Sequence, residues 1–375
     1  MLNRQNQQNQ FDKIRKIENR VTTKERIEAL FNYQKPDRVP IGYQGIPIRT
    51  PGLKERFPNF TLASNYNDPE TTFYVSLWVA KQYSWDLIPH AFAHTILGGW
   101  DFGGEIQMPR GEYQDSLSIK SYPVKTESDV WNLKMPDPKT AGGIPMAMKF
   151  AKLQEKHGFL IGFFTRSPFC VASNICGLDL FGRWMIKKPE LCHKLLRMAT
   201  DHIFNVLQYW VDTFGAEKIL FMMSSPSESN QVISPKQFKK FAFPYHVEIQ
   251  NKLRSIGVRR FYFHICGEQN LNLPYLAELS SLWVHPSILS FGHEVDLEIA
   301  GKYFPKDIIF GNIEPVVFQS GTPEQVYELC KVALEKGKKL PGGFILAPGC
   351  GLPPLSSPDN LYAMTKAVND FGWYN

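Results

Sequence analysis

The chain has no apolar run approaching the roughly 20 residues that span a bilayer, so no membrane-crossing helix is expected. Its opening stretch, MLNRQNQQNQFDKIRK, has basic residues but no apolar core behind them. It therefore lacks the pattern of a secretory signal, and a cytoplasmic protein is expected. Charge of one sign is also scarce, because the net +6 is spread over 375 residues. The densest basic clusters, VRR at 258–260 and EKGKKL at 335–340, are short and sit at the ends of predicted helices. A solvated face explains them, and no nucleic-acid partner is expected. Cysteine is sparse as well. The six thiols, at positions 170, 176, 192, 266, 330 and 350, are too scattered for a disulfide framework. Reduced thiols with a metal site among them fit better.

With 43% hydrophobic and 21% charged residues the composition is that of a globular protein. Residues 1–20, rich in Gln, Asn and charge, predict a mobile tail or weak helix. At Thr22 a cap, with Glu25 three residues on and Ile27, Leu30 and Phe31 at helical spacing, predicts the first firm helix. Residues 97–124 alternate apolar and polar positions between Gly and Pro, the pattern of β-hairpins inserted in a larger domain spanning 21–375. From about residue 140 short apolar runs alternate with amphipathic stretches: GFLIGFF, KILFMM, RRFYFHICG, SILSFG, DIIFGN and GGFILAPGC. Strands of that kind, separated by helices, form a parallel sheet covered on both faces. The number of units predicts an α/β fold closed as a (β/α)8 TIM barrel, with an N-terminal helical extension and the hairpin insertion.

In FYFHICGEQ, residues 261–269, a buried strand carries His264 and Cys266 two positions apart. Residues i and i+2 of a strand point to one side, and Gly267 marks the C-terminal end, where barrel enzymes build their sites. Cys350 also follows an apolar strand, in FILAPGCGLPP, between Gly349 and Gly351. Two thiolates and an imidazole suit Zn2+ and leave a fourth position open, as in a catalytic zinc site. Glu294, in SFGHEVDLE, is the expected occupant of that position, with the adjacent His293 as its competitor. Cys170, Cys176, Cys192 and Cys330 are expected to be packing residues.

The segments TTKERIEALFNYQKPDRVPIG, ISPKQFKKFAFPYHVEIQNKL, FHICG, IIFGNIEP and ILAPGCGLPPLSSPDNLYAM, in this order, resemble the uroporphyrinogen decarboxylase superfamily. The resemblance implies a (β/α)8 barrel. His-x-Cys followed much later by Cys is similar to the zinc-dependent corrinoid methyltransferases of that superfamily, in which His264, Cys266 and Cys350 match the zinc ligands and Glu294 an acidic neighbour of the metal. Asn312 and Glu314, in GNIEP, match a strand-end motif lining the cavity. Two departures stand out. Where the decarboxylases carry an Arg-rich stretch that grips tetrapyrrole carboxylates, this chain has Arg49 alone. Where the methyltransferases often have Asp-Pro, it has Ser225 in MMSSPSESNQVISP, with Glu228 as the nearby carboxylate and an expected substrate contact alongside Asn312.

The resemblance therefore implies transfer of a methyl group between a corrinoid, methylcobalamin-like and carried on a separate corrinoid protein, and a thiol or other small methyl donor or acceptor. Trp100, Phe102 and Tyr113 of the hairpin stretch, where exposed, are candidates for a docking surface or lid, with buried packing as the alternative. The rival readings are a corrinoid-dependent demethylase component acting on a methoxy compound, a metal-free decarboxylase, and a non-catalytic carrier partner.

Overall fold

Six apolar runs become a parallel sheet in sequence order. In a computed structural model of the chain, residues 21–86 and 95–374 are described, so the expected tail at 1–20 lies outside the described residues. The strands are β3 (Ile161–Arg166), β4 (Ile219–Ser224), β5 (Arg260–Ile265), β6 (Ile288–Phe291), β7 (Ile308–Ile313) and β8 (Phe344–Pro348), each paired with the next. Two shorter staves extend this sheet. Ile41 bridges in parallel to Leu346 of β8, and Ile96 bridges in parallel to Thr165 of β3. The Asp86 amide donates to the Ile41 carbonyl at 2.9 Å, which brings the approach to the second stave against the first. The result is the (β/α)8 barrel.

The strands read as nearly continuous apolar runs because both of their faces are buried. One set of alternate residues, Leu220, Met222, Tyr262, Ile288, Ile308, Phe310, Ile345 and Ala347, fills the barrel. The other set, including Phe163, Phe221, Phe261, Phe263, Leu289 and Ile309, packs outward beneath the helices. At the N-terminal end of the strands the interior cluster is closed by Leu30, with Ile27 and Phe31, from the helix Thr23–Phe31. That helix starts where expected: the Thr22 hydroxyl caps the Glu25 amide, and the Glu25 carboxylate reciprocates. Two positions beyond the last apolar interior residue the side chains turn polar: Arg166 after Phe164, Ser224 after Met222, His264 after Tyr262, Ser290 after Ile288 and Asn312 after Phe310. This polar layer is the C-terminal mouth.

The helical stretch after Ser234 is interrupted. A short turn, Pro235–Gln237, is followed by a wide π-turn over Phe238–Ala242, and only then by the helix Phe243–Ser255. Pro244 has no N–H to give the carbonyl four residues back, and the wider turn absorbs the missing bond. The 97–124 insertion forms one antiparallel hairpin, β1 (Glu105–Gln107) with β2 (Ser118–Ser121), with turns around it. Phe102 corrects the exposed reading of this stretch. It is buried against His202, with ring centroids 5.3 Å apart, whereas Tyr113 is 81% exposed.

The hairpin hangs on a buried carboxylate. Asp101 takes the amides of Leu97 and Gly98 on one oxygen, at 2.7 and 2.6 Å, while its second oxygen is buried without a partner. Burial outweighs those two bonds and pushes the Asp101 carboxyl up to about 7. A carboxyl raised in the folded state binds its proton more tightly there than in the unfolded chain. Its contribution to stability is full below the unfolded pKa of about 3.9 and is lost as pH rises through the folded value. The urea midpoint should therefore fall between pH 4 and pH 7 more steeply in the wild type than in Asp101→Asn; parallel profiles would remove Asp101 as the cause.

A second buried carboxylate joins the first helix to both outer staves. Asp86 accepts from Arg26 Nη1 at 3.0 Å, from Arg38 Nη1 at 2.6 Å and from the Ile41 amide at 2.9 Å, and Arg26 also grips Asp37. All three hub side chains are at most 5% exposed. Asp86→Ala leaves two guanidinium groups buried without their shared partner, and chemical denaturation should show a loss of about 3–5 kcal/mol. A loss within the roughly 0.5 kcal/mol of ordinary surface changes would contradict this role.

Candidate metal centre

The mouth gathers three of the expected ligands. His264 is the penultimate residue of β5, Cys266 follows that strand, and Cys350 follows β8. Their ligand atoms lie within 4.8 Å of one another, and among the described residues no other His, Cys, Asp or Glu group of three meets that spacing. The two sulfurs are 3.5 Å apart. Zinc with bonds of about 2.3 Å to sulfur and tetrahedral angles needs sulfurs about 3.8 Å apart, so the pair is already spaced for a shared ion. The donor set fits Zn2+.

Local backbone chemistry produces this convergence. Gly267 has φ +74°, a left-handed turn that a side chain would strain, and it lets the chain leave β5 directly after Cys266. Gly349 lies so close to Gly292 and His293 that a Cβ would come within 3.0 Å of the His293 amide nitrogen. The loops after β6 and β8 therefore meet backbone to backbone, which carries Cys350 towards Cys266. Gly351, by contrast, faces open space.

His264 is 5% exposed and its ring is held from behind. Ser290 Oγ lies 2.9 Å from Nδ1, and Gln44 Nε2 lies 3.4 Å from the same atom. Gln44 also donates to the Tyr262 hydroxyl at 2.8 Å. With Nδ1 occupied by protein, Nε2 is left to face an ion. The hydrogen bond to Cys350, together with burial, pushes the Cys266 thiol up. The same bond lowers the Cys350 thiol, against burial and with help from His264. The two sulfurs share one hydrogen bond, and a cation that replaced its proton would make both of them thiolates. The remaining cysteines are buried thiols: burial raises Cys170 to about 11 and Cys176 to about 12, and lifts Cys192 and Cys330 as well.

The other expected residues surround this centre. Glu294 is about a quarter exposed and lies 3.5 Å from His293, which in turn is 3.9 Å from Glu314. Its carboxylate folds over Gly292, outside the three-ligand cluster but near enough for its charge to raise Cys266. Asn312 uses its amide on the carbonyls of Val295, at 2.6 Å, and Gly292, which ties down the loop that carries Glu294. Glu228 is buried. One of its oxygens is 2.7 Å from His246 Nε2, the other accepts from the Ser167 hydroxyl, and Asn272 donates to its carbonyl. Gln44, Tyr262 and Ser290 were not singled out in the sequence. Tyr262 was open to inference, since it stands two residues before His264 on one face of β5. Ser290 requires the register that sets it opposite His264 on β6.

The uroporphyrinogen decarboxylase (URO-D) family model matches residues 22–371, and the chain belongs to this family. It is 28% identical over 294 residues to "Methylcobamide:CoM methyltransferase MtbA" of Methanosarcina acetivorans, which covers 74% of the chain and 82% of the relative. It is 26% identical over 362 residues to "Methylcobamide:CoM methyltransferase MtaA" of Methanosarcina barkeri, which covers 93% and 98%. Among solved structures, a methyltransferase from Methanosarcina mazei superposes with a TM-score of 0.74 at 23% identity, covering 93% of this chain and 99% of that one. That likeness supports the barrel. No helix among the described residues is long and apolar enough to cross a membrane.

If Ser290 fixes the ring of His264, Ser290→Ala should weaken zinc binding by roughly 10- to 100-fold, measured by competition with a chromogenic chelator. His264→Ala should lose the ion altogether. An unchanged affinity in Ser290→Ala would show that the serine does not orient the ligand.

Proposed function

We propose that this protein is a zinc-dependent methyltransferase that moves a methyl group between a corrinoid, presented by a separate carrier protein, and the sulfur of a small thiol. The observation that carries this reading is the convergence of the His264 imidazole and the sulfurs of Cys266 and Cys350 at the C-terminal mouth of the barrel. The names of the two Methanosarcina relatives support it. So does the bland setting of the four other cysteines, whose burial makes them poor nucleophiles and poor ligands.

A zinc ion held by these three residues would supply Lewis acidity, which makes a substrate thiol ionise at neutral pH. The chain's own groups do the remaining work. Ser290 and Gln44 hold the imidazole, the loops at Gly292 and Gly349 set the separation of the sulfurs, and Glu294 stands beside the centre in position to occupy an open site when no substrate is bound. Asn312 acts by fixing the loop that carries Glu294. Glu228, with His246 and Ser167, braces the wall of the mouth rather than reaching into it. The half-buried Trp100 and the exposed Tyr113, on the hairpin side, are where a carrier protein would be met.

Cys350→Ala should lose both the bound zinc and the methylation of a small thiol by methylcobalamin, with the circular-dichroism spectrum unchanged. Full transfer by that variant would end the proposal. Release of CO2 from uroporphyrinogen by zinc-free wild type would favour the decarboxylase reading instead.

A further inference from the structure

The helix Thr23–Phe31 covers the N-terminal end of the barrel on one side only. It lays Leu30 over the interior cluster, but beside it a cavity of about 870 Å3 enters the barrel from this end, opposite the metal centre. One wall is the flank of that helix, with Ile27 and Phe31, and the facing wall is Leu220, Met222, Tyr262 and Ile288 from β4, β5 and β6. Met222, fourth in β4, and Tyr262, third in β5, line it furthest along their strands. Barrels of this kind ordinarily fill that space with side chains, and voids larger than a water molecule are few in protein interiors. The volume instead falls in the range of small-molecule pockets, about 300–1,000 Å3.

The chemistry of the wall selects what could enter. The Tyr262 hydroxyl already accepts from Gln44 at 2.8 Å, and Asp86, also on the wall, is held by Arg26 and Arg38. Among the described residues, none of the buried polar side-chain atoms that lack a hydrogen-bond partner lies on this wall. A polar group carried inside would therefore lose its water and gain no partner. The rim is charged but balanced. Arg260 pairs with Glu28 at 3.2 Å and Lys218 with Glu155 at 3.0 Å, while the remaining Lys24 and Glu217 are of opposite sign. We propose that the N-terminal end of the barrel is a second binding site, which takes an uncharged small molecule with a hydrocarbon body. Apolar cavities lined by aliphatic and aromatic side chains take up such molecules, because each methylene leaves water and no polar group is stranded. A neutral polar end of the molecule stays at the rim, in water. This inference does not rest on the thiol-transfer reading, since the cavity uses none of the metal ligands.

The test is calorimetric titration of the full chain with hexanol, heptanol and octanol, and with octanoate as the charged control. Binding to wild type should tighten about fourfold with each added methylene and show a negative heat-capacity change. Octanoate should bind at least roughly tenfold more weakly than octanol. Leu220→Trp and Ile27→Trp, which fill the cavity from its two walls, should each weaken octanol binding at least roughly tenfold, with the circular-dichroism spectrum unchanged. Should the buried Leu220→Trp fail to fold, Ile27→Trp on the half-buried flank of the helix decides alone. Octanol binding that survives filling of the cavity would place the alcohol elsewhere and overturn the assignment. A flat alcohol series, or octanoate bound as tightly as octanol, would overturn the selection for an uncharged hydrocarbon. Absence of binding by all three alcohols would overturn the site itself.

Discussion

A buried carboxylate with two guanidinium partners is the interaction on which the rest of the barrel depends. Asp86 is 1% exposed, and its partners come from the first helix, through Arg26, and from the approach to the first stave, through Arg38. Among the described residues, each of the two outer staves contributes a single bridge to the sheet. Side-chain charge there reinforces the few backbone bonds that tie these staves to β3 and β8. A charged hub can do this only if every polar atom is used, because an ion left unpaired in such a setting costs several kcal/mol. The Ile41 amide and the double grip of Arg26 on Asp37 complete the set. The segment PDRVP, which reads as a family signature in the sequence, is thus a structural device, remote from the chemistry it accompanies.

Once the barrel is closed, the period of two does most of the remaining construction. Tyr262, His264 and Cys266 rise along one line from the apolar interior to the rim. Neighbouring strands repeat that transition at the same level, from Met222 to Ser224 and from Ile288 to Ser290. The polar layer needs no special fold, only one change of residue type two positions beyond the last interior apolar residue on each strand. Holding His264 between Ser290 and the ion site then follows from sheet register, since those two residues are direct partners on adjacent strands.

The same logic explains which parts were legible in the sequence. The six strands were, because burial on both faces leaves an unbroken apolar run whose length suits a strand. His264 and Cys266 were, because their spacing is that of the strand itself, and Cys350 was, because glycines flank it at a strand end. Gln44 was not: it reaches His264 from a loop far away in the sequence, and only barrel closure brings the two together. The helix Pro168–Cys176 was also unread. Eight of its nine residues are buried, so it shows no polar face. Phe102 looked exposed because Gly and polar residues surround it, yet the long helix Pro189–Phe214 offers His202 and an apolar flank to cover it. The π-turn before Phe243 was not read, although Pro244, which has no N–H for the carbonyl four residues back, lies directly after it.

The centre also shows where the fold works against itself. Two thiols from strands as far apart as β5 and β8 are brought within van der Waals contact of one another, partly buried, beside a carboxylate whose charge opposes ionisation of Cys266. An apolar pair in their place would remove the repulsion and the desolvation cost without disturbing the barrel. A cation would make the arrangement more favourable still, because it would replace the single shared proton with attraction of both sulfurs to a common centre.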